Sequence, residues 1–268
     1  MNMSYTSPTI EFSLDVLNGA EFDLTSRAYG KGETERCVET PWAAQTFAKV
    51  NRVLDIGLAM SHPDYLGLMI GFLDKGGKIE GADIIKPERV KTRYPEAWRD
   101  QILDIPVHIG DVRKMDFSSD PFDAIMCIST LEHIGFDAPS DRTDTAFDRP
   151  TELADLPERS PNADRDALAA FRKALKPGGL LCLTVPAGEG ATRKIQDSTG
   201  RWAAYLEYGP ADWNALTSLP GFDVVTQVGA AEMDDGWRAC EPFEKVYSAS
   251  VGEDGFPRGC IMSVLRAV

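Results

Sequence analysis

The chain has 268 residues, 43% of them hydrophobic and 26% charged, with a formal net charge of -14. That length supports one substantial core with an appended segment, and the negative field repels nucleic acid wherever no basic patch intervenes. No apolar run approaches the ~20 residues needed to cross a bilayer, and Met1-Asn2-Met3-Ser4-Tyr5 lacks the basic and apolar segments of a leader, so no membrane partner is expected and a cytoplasmic location is the default.

Residues 1–45 are mixed in polarity and read as an N-terminal cap, with Trp42, Phe47 and Val50 suggesting a helix that leads into the first strand. Residues 46–268 read as the main domain. Its first strand is Arg52-Val53-Leu54-Asp55-Ile56-Gly57, an apolar run closed by an acid and a glycine. Pro63 and Asp64 suit a first helical turn; Tyr65, Leu66, Met69, Ile70 and Leu73 form its apolar stripe, and Gly76-Gly77 ends it. Further strands are expected at Lys78 to Asp83, Ile105 to Ile109 before Gly110-Asp111, and Phe122 to Ile128. A helix marked by Leu168, Phe171 and Leu175 breaks at Lys176-Pro177-Gly178-Gly179, feeding the apolar strand Leu180 to Val185. After a helix at Ala211 to Leu219, the runs Phe222 to Val228 and Gly259 to Leu265 follow with no helix between them, which implies an antiparallel pair. Alternating strands and helices predict an α/β fold, a mostly parallel sheet covered on both faces and finished by that pair.

Residues 137–166 interrupt this pattern with nine acids against four arginines. Such a length between strand and helix predicts a partly ordered lid, for which Phe147, Leu153 and Leu156 are candidate anchors, or a loop without order. The five cysteines, Cys37, Cys127, Cys182, Cys240 and Cys260, have no Cys-x-x-Cys spacing and read as reduced, buried thiols. His62 and His108 have no ligand spacing with each other or with a cysteine, so no metal is expected.

Val53 to Gly57 and Leu175-Lys176-Pro177-Gly178-Gly179 resemble the first motif and the pre-fifth-strand turn of the class I S-adenosylmethionine-dependent methyltransferases, over roughly residues 50–265. More narrowly, Ile128-Ser129-Thr130-Leu131-Glu132-His133-Ile134-Gly135 and Arg36-Cys37-Val38-Glu39-Thr40-Pro41-Trp42 are similar to bacterial methyltransferases of sugar and surface-glycan pathways. The resemblance implies a Rossmann-like seven-stranded sheet, S-adenosylmethionine as cofactor, and a cofactor crevice built from Asp55, Gly57, Leu58, Ala59, Asp83, Ile84, Asp111, Val112, Ile128 and Ser129. In it Asp83 accepts from both ribose hydroxyls, Asp111 accepts from the adenine amine while Val112 and Met115 touch the ring, and Asp55 orients the methionine amino group or a water. For Asp83 and Asp111 the alternative is a turn-forming aspartate.

One departure from the family is the turn Gly57-Leu58-Ala59-Met60-Ser61-His62, which keeps only its first glycine. With Ala59 and His62 at the second and third glycine positions, the turn does not offer the backbone cradle that a pyrophosphate needs, which disfavours a nicotinamide or flavin enzyme.

Methyl transfer is an in-line displacement, so catalysis needs alignment and, for a hydroxyl acceptor, a base. His133, after the fourth strand, is the candidate base; the alternative is a helix-start residue bonded to a backbone carbonyl. Glu132 is a candidate to orient the imidazole or bind a sugar hydroxyl, although neighbours on a helix point apart, so no direct pairing of Glu132 with His133 is expected. Tyr29, Arg36, Glu39 and Trp42 either close over cofactor or acceptor or pack the cap on the sheet. The expected function is O-methylation of a small acceptor, a sugar or nucleotide sugar first. N-methylation of an amino sugar, and a protein that binds cofactor or product without transfer, are the alternatives; a homo-oligomer stays open.

Overall fold

The computed structural model describes residues 5–136, 150–196, 200–249, 251–252, 255 and 257–268. Its main sheet has eight strands in the order β3-β2-β1-β4-β5-β10-β8-β9. The strands are β1 (Arg52–Ile56), β2 (Lys78–Asp83), β3 (Val107–Ile109), β4 (Phe122–Ile128), β5 (Leu175–Pro186), β8 (Phe222–Met233), β9 (Gly236–Ala239) and β10 (Gly259–Ala267). β1 to β5 run parallel, while β10 is antiparallel to both β5 and β8. The fold is therefore α/β and Rossmann-like, mostly parallel, with the expected C-terminal antiparallel pair. The eighth strand, β9, goes beyond the expected seven. It exists because β8 runs on to Met233 and turns back through Gly236, whose φ of +125° suits glycine.

Helices α1 (Pro8–Leu17), α2 (Arg36–Phe47), α3 (Pro63–Asp74), α4 (Pro87–Val90) and α5 (Arg99–Leu103) contribute to a core on one face of the sheet. The other face is covered by α6 (Ala163–Ala174) and α7 (Pro210–Thr217). Strand alternation assigns side chains to these cores: Leu54 and Ile56 of β1 face α6, while Val53 and Asp55 face α3. All five cysteines are buried and none is bridged. Among the described residues no helix is long and apolar enough to cross a membrane.

Three local expectations change. α1 lies in a stretch with no evident apolar period; Ser7 caps it by accepting from the Ile10 amide, and Pro8 occupies its first turn. α6 stops at Ala174 and Leu175 already opens β5, pairing with Phe122, so the Lys176-Pro177-Gly178-Gly179 segment lies within the strand. A separate hairpin of β6 (Thr192–Gln196) and β7 (Trp202–Leu206), which local composition does not signal, follows β5.

The expected lid falls partly outside the described residues: 137–149, with Phe147, lie there. Of the other expected anchors, Leu153 is 42% exposed and Leu156 is half-buried. The segment also makes polar contacts to the end of β4: the Ser160 amide donates to the Gly135 carbonyl at 2.7 Å and Arg159 Nε donates to the Ile134 carbonyl at 3.2 Å.

Candidate functional site

The strand order reverses between β1 and β4, and an open α/β sheet offers its crevice at the carboxyl ends of the strands flanking such a reversal. Gly57 makes the turn after β1 with φ +87°, and a Cβ placed there would lie 2.7 Å from the Thr130 side chain. The turn continues as a short 3-10 segment, Leu58–Met60, instead of a glycine loop. Leu58 and Ala59 are fully buried in the α1–α5 core, so only their backbone is available to the crevice. The Ala59 amide is donated to Asp83 Oδ2 at 2.8 Å, and its carbonyl accepts from Tyr94 Oη at 3.1 Å.

Asp55 is 1% exposed and accepts from Tyr65 Oη at 2.6 Å through Oδ2, while Oδ1 has no hydrogen-bond partner among the described residues. Burial pushes its carboxyl up to about 8, against the downward pull of the Tyr65 bond. Asp83, at the end of β2, is also buried. Its Oδ1 accepts from the Ile85 amide at 2.8 Å, and burial pushes it up to about 6. Ile84, which follows it, is half-buried.

Asp111, after β3, is gripped by Arg113, with Nε 2.8 Å from Oδ1 and Nη2 2.9 Å from Oδ2. Burial raises this carboxyl, but the Arg113 bonds and charge outweigh it and hold it below the usual carboxylate range. It also accepts from the Arg113 amide, the Asx-turn geometry that the alternative reading anticipates. Val112 is buried and Met115 half-buried. A cavity of about 530 Å³ opens here, bounded by Asp111, Arg113, Met115 and, on α6, Asp166 and Lys173.

At the end of β4, Ile128 is buried and Ser129 takes φ +44°, a conformation that L-residues seldom adopt. Its amide donates to Thr184 Oγ1 at 2.9 Å and its hydroxyl to Glu39 Oε1 at 2.7 Å. Glu39, 0% exposed, is also ion-paired with Arg36 one turn earlier on α2. The sequence marks Arg36 and Glu39 only as candidates to close over the site, and their i,i+3 spacing is the available signal for the pair. Trp42 instead packs into the core.

Glu132 and His133 lie in a 3-10 turn, Leu131–His133, not in an α-helix. In this tighter turn His133 Nε2 lies 4.0 Å from Glu132 Oε1, near it but beyond hydrogen-bond distance. His133 is exposed and its Nδ1 lies 3.0 Å from the Ala204 carbonyl of β7. A carbonyl only accepts, so Nδ1 carries the ring proton and Nε2 is the basic nitrogen. Glu132 is 4% exposed, its Oε2 has no hydrogen-bond partner among the described residues, and burial pushes its carboxyl up to about 8.

The structure thus brings Asp55, Gly57, Asp83, Ser129, Glu132 and His133 to the reversal point, with Asp111 and Val112 on its β3 flank. Sequence reasoning misses Tyr65 as the partner of Asp55. It also misses Glu207, which follows β7, is 0% exposed and lies 2.8 Å from Arg193 Nε.

No protein-family model matches the chain, and no curated protein matches its sequence. Among solved structures it is similar to Burkholderia thailandensis 1,6-didemethyltoxoflavin-N1-methyltransferase, crystallised with 1,6-didemethyltoxoflavin and S-adenosylhomocysteine, at 17% identity over 100% of this chain and 93% of that one, with a TM-score of 0.49. It is similar to the amino pentose methyltransferase CalS10 of Micromonospora echinaspora, bound to S-adenosylmethionine, at 14% identity over 100% and 99% of the two chains, TM-score 0.46. The N-methyltransferase NodS of Bradyrhizobium japonicum, in complex with S-adenosylhomocysteine, is 16% identical over 97% and 99%, TM-score 0.46.

Proposed function

We propose that the protein transfers a methyl group from S-adenosylmethionine to a nucleophilic oxygen or nitrogen of a small polar molecule, with a sugar or nucleotide sugar as the acceptor class. The observation that carries this reading is the row of carboxylates, Asp55, Asp83 and Asp111, at the carboxyl ends of three adjacent strands beside the single-glycine turn. Such a row offers acceptors to a ligand rich in donors and no cradle for a pyrophosphate.

The residues present fit an adenosyl ligand. Asp55 Oδ1 is a buried acceptor with no partner among the described residues, suited to the methionine ammonium or to a water beneath it. Each Asp83 oxygen takes one backbone amide and keeps capacity for a ribose hydroxyl. Asp111, though held by Arg113, retains acceptor capacity for the adenine amine, with Ile84, Val112 and Met115 as apolar neighbours of the ring. Ile128 and Ser129 close the methionine end.

The bound sulfonium supplies an electrophilic methyl group, and the protein's part is to align the acceptor with it and manage a proton. His133 is suited to handling that proton, because Ala204 fixes its tautomer, Nε2 is basic, and the exposed ring can exchange protons with water.

Calorimetric titration with S-adenosylmethionine, S-adenosylhomocysteine and NADH tests the reading. Binding of both adenosyl ligands without NADH is the expected outcome. Absence of adenosyl binding in ligand-free protein overturns it.

A further inference from the structure

We propose that the reacting group of the acceptor is an amine, which enters as an ammonium and gives its proton to the Glu132 carboxylate. The inference rests on the methyl-transfer reading and deepens it by naming the acceptor's nucleophile.

Glu132 follows the strand end where methyl donor and acceptor converge. Its Oε2 is buried and has no hydrogen-bond partner among the described residues. A carboxylate withdrawn from water in this way is costly unless a cation or strong donor meets it. The groups that act on it electrostatically or lie beside it are Glu35, Arg36 and Glu39 of the cap, Cys127 of β4, His133 of its own turn and Tyr208 after β7. Of these, Arg36 is the one permanent cation. It is ion-paired with Glu39 and lies 3.6 Å from Glu35, so with Glu132 ionised three carboxylates face one guanidinium and this cluster is two positive charges short. A hydroxyl acceptor leaves that deficit in place, whereas an ammonium halves it.

The proton balance also favours nitrogen. Burial pushes Glu132 up to about 8, which leaves proton transfer from an ordinary alkylammonium uphill by roughly 2 pK units, whereas transfer from a hydroxyl is far more steeply uphill. An N–H bond of the ammonium breaks with its electron pair left on nitrogen and the proton bound to Glu132. The amine lone pair then attacks the methyl carbon as the carbon–sulfur bond breaks toward sulfur, giving a methylammonium and a neutral thioether. His133 Nε2, 4.0 Å from Glu132 Oε1 on an exposed ring, is placed to pass the Glu132 proton to water.

The test uses sinefungin, an S-adenosylmethionine analogue with an amine-bearing carbon in place of the methylsulfonium, so that an ammonium is presented where acceptor and methyl meet. The intact protein is expected to bind sinefungin roughly 10- to 100-fold more tightly than S-adenosylhomocysteine, the range for a hydrogen bond to a charged group. Glu132→Gln should bring the ratio to within about twofold while S-adenosylhomocysteine binding holds. Titration at pH 7 in buffers of different ionisation enthalpy should show release of close to one proton as Glu132 ionises against the ammonium. Sinefungin binding no tighter than S-adenosylhomocysteine, or an advantage that survives Glu132→Gln, overturns the proposal. If S-adenosylmethionine loses affinity in Glu132→Gln as much as sinefungin does, the carboxylate serves the donor's sulfonium, and the amine assignment falls. Failure of all three ligands overturns the methyl-transfer reading itself. Should Glu132→Gln not fold, the ligand ratio and proton count of the unaltered protein decide.

Discussion

Tyr65→Phe removes one hydroxyl from the floor of the crevice and keeps the ring that packs on Phe47, with centroids 6.2 Å apart. The hydroxyl's partner is Asp55 Oδ2 at 2.6 Å, on a carboxyl that burial pushes up to about 8. Below that value Asp55 is neutral in the folded protein, and the lost bond costs about 1 kcal/mol; above it the bond is to a buried carboxylate and costs roughly 1.5 to 3 kcal/mol. The sign follows from proton binding. Between the unfolded value of 3.8 and about 8 the folded state holds a proton that the unfolded state has shed, so the contribution of Asp55 to stability declines as pH rises through that window. Without the Tyr65 hydroxyl the folded value rises further and the decline extends above pH 8. Urea unfolding of both proteins at pH 5 and pH 9 should therefore show a destabilisation that grows by about 1 kcal/mol or more at the higher pH. Equal destabilisation at the two pH values, or a larger one at pH 5, would refute the assignment of a raised Asp55 and a charge-stabilising Tyr65.

Asp83→Ala should weaken S-adenosylmethionine binding by about 1 to 3 kcal/mol, read by calorimetry, and lower the melting temperature, because the Ala59 and Ile85 amides lose their acceptor. Unchanged affinity in folded protein would remove the ribose assignment. Gly57→Ala should destabilise the turn by about 1 to 2 kcal/mol through its positive φ, with added displacement of Thr130, and should reduce cofactor affinity; a wild-type melting temperature counts against the strained turn. His133→Ala should slow methyl transfer roughly 10²-fold while cofactor affinity stays near wild type, as measured with methyl-labelled donor. Full turnover would place proton handling elsewhere.

The parts of this molecule that are legible in the sequence are those where a side chain and its neighbours in the chain set the outcome. β1, β2 and β4 announce themselves as apolar runs, and α3 by Pro63 and its apolar stripe. The carboxylates Asp55, Asp83 and Asp111 are legible because each sits where a strand meets a turn. α1 has a local signal, Ser7-Pro8, but its apolar face is too irregular to register as a period. β9 pairs with β8 just before it and β6 with β7, but these segments are too short for an apolar alternation to stand out in the local composition. Within the site, the Tyr65 bond to Asp55 and the Ser129 bond to Glu39 join residues 10 and 90 positions apart. The first spans a strand and the helix after it, and the second exists only once the cap has docked. The approach of His133 to Glu132 is hidden because it depends on a 3-10 turn where the sequence suggests an α-helix.

The bond that sets the His133 tautomer comes from a main-chain oxygen, that of Ala204. Every amino acid at position 204 carries the same carbonyl, so the instruction telling the imidazole which nitrogen is basic is written in backbone and not in side-chain chemistry. The β6–β7 hairpin is thereby free to diverge in residue type without disturbing that instruction, provided its strand pairing survives. An insertion that shifted the hairpin by one residue would change the proton inventory of the site while leaving Glu132, His133 and the carboxylate row untouched. Chain length in this hairpin, more than its composition, is what the chemistry constrains.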